Sequence, residues 1–265
     1  MKRDVTSRVV LDVAETADLV FAIAVSSAYA SRSETLTATI DDAPVDVTEL
    51  PDAHGGRLHR LRATPGRLVV EYAATVHGEA SPAGADDTEL LVYGRPSRYA
   101  ESDALAPTAG AEFRDLATDR DVLDAVSSWV GTHLHYVSGS SLPTDGAVRT
   151  LLGREGVCRD YAHLCIALLR ARGIPARLAA VYAPGLTPMD FHAVTEAWID
   201  GAWRVVDATA LAPRQSLVRI ATGRDAADTA FLNVISGRTE LVEVTVTAVV
   251  DTLPADDLTE LIELR

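Results

Sequence analysis

The chain is poor in cysteine, with only Cys158 and Cys165 among 265 residues. That excludes a disulfide scaffold, and the spacing excludes the one bridge left. Seven positions along a single helix span about 10 Å, whereas a disulfide needs Cα atoms within about 7 Å. Two free thiols suit a reducing cytoplasm. Basic residues are also in deficit, 24 Lys+Arg against 38 Asp+Glu, for a formal net charge of -14. An acidic surface repels phosphate backbones and anionic headgroups, and no basic run offers a local exception, so neither a nucleic acid nor a membrane is expected as partner. No apolar stretch reaches the roughly 18 to 20 residues of a membrane span. Met1-Lys2-Arg3, the apolar segment 19–24 and Ala28-Tyr29-Ala30 outline a secretory signal, but Asp12, Glu15 and Asp18 interrupt it. Zinc spacings such as H-E-x-x-H are missing, glycine-rich phosphate loops likewise, and no metal or other cofactor is expected.

What is present is a globular composition, 48% apolar and 23% charged, long enough for one large domain or two modest ones. The first hundred residues read as strands joined by turns. Leu68, Val70, Tyr72, Ala74 and Val76 alternate with period 2, as do Leu36, Ala38 and Ile40. Further strands are predicted near 8–14, 19–26, 57–62 and 89–93, and together they suggest an antiparallel β-sandwich. The character changes around 94–107, which predicts an N-terminal β-sandwich domain over 1–100 and a second domain over 101–265.

In the second domain Thr118 is placed to cap a helix over 119–135, and a short helix is predicted over 145–152. A third helix opens at Cys158, is apolar almost all round, and stops at Arg172 before Gly173 and Pro175. Strands follow near 177–183, 192–199, 203–207, 218–222 and 241–250, with Gly201 marking a tight hairpin. Helices first and antiparallel strands after define an α+β fold.

Cys158 stands where a loop becomes that enclosed helix. A thiol there feels the positive end of the helix dipole and unpaired N–H groups, which favour thiolate and could hold an oxyanion. Free cysteines are also common core residues, so position alone does not assign a role. His192 and Asp207 supply the rest: a hairpin turning at 200–201 sets 192 near 208, within one residue of Asp207. A carboxylate there can orient an imidazole that takes the thiol proton. Taken singly, His192 reads as a hydrogen-bonded structural histidine and Asp207 as a turn residue.

Gly156-Val157-Cys158-Arg159-Asp160-Tyr161-Ala162-His163-Leu164, Gly173-Ile174-Pro175-Ala176-Arg177, Phe191-His192-Ala193 and Trp203-Arg204-Val205-Val206-Asp207-Ala208-Thr209 together resemble the transglutaminase-like superfamily of papain-like cysteine enzymes, in its bacterial form with an N-terminal β-sandwich. Segments 95–103 and 223–228 are similar to the same proteins. The resemblance implies a papain-like core with Cys158 as nucleophile, His192 as general base and acid, and Asp207 as orienter. Val194 and Ala208 depart from the aromatic residue and the proline often found at those places, which puts substrate access in question. The implied chemistry is acyl transfer on a peptide or protein amide: a peptidase or amidase if water resolves the acyl-enzyme, a protein-glutamine transferase if an amine does. A non-catalytic interaction module that keeps the fold is the rival from another class. Oligomeric state is not legible.

The other candidates read as structural. Cys165 is expected in the core; His163, about 140° round the helix from Cys158, cannot readily share a metal with it. Asp160 and Arg159 either brace the cysteine loop or form a surface pair, Arg224 and Asp225 either approach the site or form a salt bridge, and 251–260 is a solvated terminal face. Tyr136 is a possible oxyanion donor, against the simpler reading of a helix-end aromatic.

Overall fold

Period-2 alternation in residues 66–77 buries Leu68, Val70, Tyr72, Ala74 and Val76 on one side of a strand and turns Arg67, Glu71 and Ala73 outward. This strand belongs to an N-terminal set in the computed structural model, which describes residues 1–265. The set is β1 (Lys2–Phe21), β2 (Arg32–Ile40), β3 (Ala43–Pro44), β4 (Thr48–Pro51), β5 (Arg57–Ala63) and β6 (Gly66–His77). There follow α1 (Asp87–Tyr93), α2 (Ser102–Glu112), α3 (Asp119–His133), β7 (His135–Tyr136), α4 (Ala147–Gly153), β8 (Glu155–Gly156) and α5 (Cys158–Ala171). The chain closes with β9 (Ala176–Tyr182), β10 (Phe191–Ile199), β11 (Ala202–Val206), β12 (Val218–Gly223), α6 (Ala226–Thr229) and β13 (Leu232–Val250).

The fold is the expected α+β arrangement of antiparallel sheets and helices. β1 organises the larger sheet. Its Lys2–Val13 part pairs with β6, its Ala17–Phe21 part with β5, and β13 runs along its other edge. The N-terminal strands are thus joined in one seven-stranded antiparallel sheet. β13 returns to it from the far end of the chain, so the sheet is built from residues on both sides of position 100. The pairing slips several times between Val10 and Leu19. Gly237 sits beside those slips at φ +86, where a Cβ would lie 2.4 Å from the Thr16 carbonyl oxygen, so only glycine admits the close approach.

Two further differences from the sequence reading have local causes. Residues 89–93 are helical, because the Asp86 side chain accepts the Glu89 N–H and caps α1, and its acidic first turn suits the helix dipole. The apolar run Leu90-Leu91-Val92-Tyr93 is too short for periodicity to separate strand from helix. Helix α2 carries Pro107 and is alanine-rich without an amphipathic pattern, so neither a stop nor a stripe announced it.

The smaller sheet has the order β11-β10-β9-β12, all antiparallel. Helix α5 packs on it with eleven of its fourteen residues buried, and the Thr195 hydroxyl ties β10 to the Ala162 carbonyl at 3.1 Å. The two sheets share a core. Tyr182 donates to the Ile23 carbonyl at 2.7 Å, and Val218, Ile220 and Ala221 join the apolar cluster of the larger sheet. Beyond the mostly exposed stretch 251–260, the chain docks back: Val205 N–H donates to the Ile262 carbonyl at 2.7 Å and Leu264 is buried. No helix is long and apolar enough to cross a membrane.

Candidate active site

Cys158 is the first residue of α5 and is half-buried. The turn that presents it is held from inside the helix: Asp160 Oδ2 accepts the Val157 N–H at 2.8 Å, a cap that takes up one otherwise orphaned donor. Gly156 permits this, since a Cβ there would come within 2.7 Å of the Asp160 Cβ. Arg159 donates to Ser141 Oγ at 2.6 Å and the Leu142 carbonyl at 2.7 Å, so Arg159 and Asp160 brace the cysteine loop rather than form an isolated surface pair. Short parallel pairing of β7 with β8 sets Tyr136 against Gly156, and Val137 N–H donates to the Gly156 carbonyl at 3.0 Å. The Tyr136 phenol thereby adjoins Cys158. Burial first, and then the charge on Cys158, push its pKa up to about 12, so it stays a protonated donor.

The imidazole and carboxylate arrive on the hairpin that the Asp200-Gly201 turn closes, with both residues at positive φ. The hairpin pairs Ile199 with Ala202 and Thr195 with Val206. Continued, that register would set His192 opposite 209, so Asp207 meets the ring diagonally. It does so closely: His192 Nε2 and Asp207 Oδ2 are 2.7 Å apart and both residues are buried. Asp207 Oδ1 is occupied by the Thr209 N–H at 3.0 Å and the Thr209 hydroxyl at 2.6 Å. Thr209, which the sequence shows only as the end of the segment 203–209, is a member of the site that sequence reasoning missed, and its two-residue offset from Asp207 is the signature of an Asx turn.

Burial is the largest single influence on the His192 pKa and lowers it, but the Asp207 charge, the Asp207 hydrogen bond and the neighbouring Cys158 together outweigh it and push the ring up to about 10. In Asp207, burial raises the carboxyl, and the ring charge together with the hydrogen bonds from His192 and Thr209 more than reverses this, leaving it below its ordinary range. The ring's other nitrogen, Nδ1, is buried with no hydrogen-bond partner. Cys158 is the thiol beside that ring. Structure thus brings together the three residues named from sequence.

The remaining candidates are structural. Cys165 is buried, and burial drives its thiol pKa far up. His163 stacks on Tyr99, accepts the Ala226 N–H at 3.1 Å, and is pushed down to about 3 by burial. Arg224 forms an exposed pair with Asp228, and Asp225 accepts the Tyr99 and Ala227 N–H groups.

A thiol at the mouth of a central helix packed on an antiparallel sheet that carries a His–Asp pair is the arrangement of the papain-like, cysteine-type enzymes. The family model of the transglutaminase-like superfamily matches residues 108–208. A Cytophaga hutchinsonii crystal structure, described as a candidate cysteine protease, is 33% identical with a TM-score of 0.89, covering 99% of this chain and 96% of that one. The chain belongs to the transglutaminase-like superfamily. An uncharacterized Mycobacterium tuberculosis protein is 31% identical over 175 residues, 57% of this chain and 54% of the relative. One from Mycobacterium leprae is 28% identical over 153 residues, 54% and 55% respectively. The chain spans about half the length of these curated relatives.

Proposed function

We propose that this protein is a cysteine-dependent hydrolase of peptide or protein amides, acting through a thioester on Cys158. The observation that carries the reading is the buried 2.7 Å contact between His192 and Asp207 beside a helix-terminal thiol. Asp207 holds Nε2 and favours the imidazolium, and the unpartnered Nδ1 is the atom free to exchange a proton with the sulfur. The thiolate attacks the amide carbon, and the oxyanion draws on N–H groups of the first turn of α5 and on the Tyr136 hydroxyl. As the C–N bond breaks, Nδ1–H protonates the leaving amine. Water then attacks the thioester, giving its proton to the ring, and the acid leaves as the thiol side chain is restored. Two unpaired thiols are compatible with a cytoplasmic setting.

Mass spectrometry of the intact protein incubated with peptide amides tests this. The expected result is an acyl adduct on Cys158 that is absent in Cys158→Ala, whose hydrolysis falls to background. Release of that adduct should not accelerate when primary amines are added; acceleration would move the assignment to amine transfer. Full hydrolysis by Cys158→Ala would end the proposal.

A further inference from the structure

Asp190 closes the loop between β9 and β10, two residues ahead of His192. Two acidic groups near the thiol are engaged within the fold: Asp160 by Val157 and Arg159, Asp207 by His192 and Thr209. Asp190 differs. Its Oδ1 accepts only the N–H of the next residue, Phe191, at 2.7 Å, and no cationic side chain pairs with it. The residue opens to solvent, yet surrounding protein crowds water from the carboxylate and raises its pKa, with the Phe191 N–H and the His192 ring pulling it back. Its charge is also felt by the Tyr136 phenol. Asp190 therefore belongs to the same cluster as Cys158, His192 and Tyr136.

The apolar surroundings are exposed. Met189 next to it is 42% exposed, and across the site Tyr136 and Val137 are 45% and 40% exposed. An unpaired carboxylate set among open apolar side chains beside a reactive thiol lacks a cation that the fold itself does not provide. The formal net charge of -14 adds a long-range field that concentrates cations at such a mouth.

We propose that Asp190 is a specificity-determining residue of this site, selecting substrates with an ammonium or guanidinium group next to the acyl carbon that Cys158 attacks. This rests on the assignment of Cys158 as nucleophile. The apolar part of such a substrate lies on Met189 and Tyr136 while its cation reaches the free Asp190 oxygen. Asp190 here binds; it takes no proton from the reacting atoms.

Two measurements on the full chain test the proposal, and one needs no substrate. Cys158 is labelled with two methanethiosulfonate reagents of like size, one bearing a trimethylammonium and one a sulfonate, in wild type and in Asp190→Asn. The ratio of cationic to anionic labelling rate should exceed one in wild type and fall about tenfold in the variant, the effect of one charge at a partly screened site. An unchanged ratio overturns the proposal. So does an equal loss with both reagents, because that pattern means Asp190 acts through the His192 ring and the thiolate. In parallel, peptide amides that differ only in Lys or norleucine beside the scissile bond report the kcat/KM ratio, which should fall about threefold in Asp190→Asn, since only one of the two peptides carries a charge. If wild type cleaves neither peptide but the labelling ratio behaves as expected, hydrolysis is lost as the activity while the charge preference stands.

Discussion

Replacing Asp207 with asparagine keeps the side chain's size and an oxygen for Thr209 while deleting the charge that faces His192. The ring stands at about 10, against an ordinary value near 6.5, and at 1.36 kcal/mol per pKa unit that lift is worth roughly 5 kcal/mol in favour of the imidazolium. The Asp207 charge is the largest contribution to it, and burial works in the opposite direction. With an amide in place, burial is nearly unopposed and the ring should titrate below about 6.5, so under about a quarter of molecules carry an imidazolium at pH 7. The expected loss in kcat/KM at pH 7 is roughly 10²- to 10⁴-fold, the range for a mispositioned or missing general acid. NMR titration of the His192 ring, in Cys158→Ala and in Cys158→Ala/Asp207→Asn, isolates the carboxylate from the thiol. A ring that still titrates above pH 8 in the double variant would refute the reasoning. The same shifts set a stability window. A raised histidine stabilises the fold fully below about 6.5 and ceases to do so as pH climbs through about 10; a lowered carboxyl stabilises above about 4 and fails as pH falls. Urea midpoints of Cys158→Ala should therefore decline between pH 6 and 9.5 by more than those of the double variant.

Three further outcomes follow from the same structure. Iodoacetamide at pH 7 should alkylate Cys158 and spare Cys165, whose thiol is buried and pushed well above the ordinary range, so peptide mapping should find one modified site. Asp160→Ala strips the cap from Val157 and should cost about 1 to 2 kcal/mol of stability by urea titration. Its Cys158 alkylation should also slow; an unaltered rate would show that the cap does not position the sulfur. Glu196→Ala leaves Arg177 and Arg219 buried without their shared carboxylate and should cost about 3 to 5 kcal/mol, which a shift of less than about 1 kcal/mol would contradict.

The parts of this fold that were legible are those in which local pattern and tertiary role agree. Asp200-Gly201 specifies a two-residue turn, and once its centre is known the meeting of residues 192 and 207 follows from register, although the contact is diagonal. Helix α5 announced itself by apolarity almost all round and by Gly173 past its end, which takes φ +83 in the structure. What stayed hidden depended on partners far along the chain. No pattern in 232–250 states that it lies along β1, because the partner is more than two hundred residues away and several slips break the alternation. Helix α1 was hidden because four apolar residues fit either period until the Asp86 cap is seen. Asp190 and Thr209 escaped for another reason: each differs from an ordinary turn residue only in what surrounds it.

The placement of His192 depends on more than its hydrogen bond. Its strand, β10, is paired on both sides, to β9 and to β11, and four residues further along it carries Glu196. Both oxygens of Glu196 are gripped by Arg219, at 2.6 and 2.8 Å, and one also takes Arg177 Nε at 2.8 Å. Arg177 itself lies 3.9 Å over the Trp203 ring and reaches Glu89. Such a buried cluster contributes little net stability after the cost of desolvation, since well-packed apolar side chains could fill the same space as well or better. Its physical effect is directional. The bidentate contacts tie the middle of β10 to β9, β12 and α1, so β10 cannot slide or roll without stranding a buried charge. His192 is held at one end of the strand by Asp207 and from its middle by Glu196. A separate scaffold of charge therefore keeps the ring within reach of a sulfur that belongs to the opposite wall, on a helix fastened by its own cap.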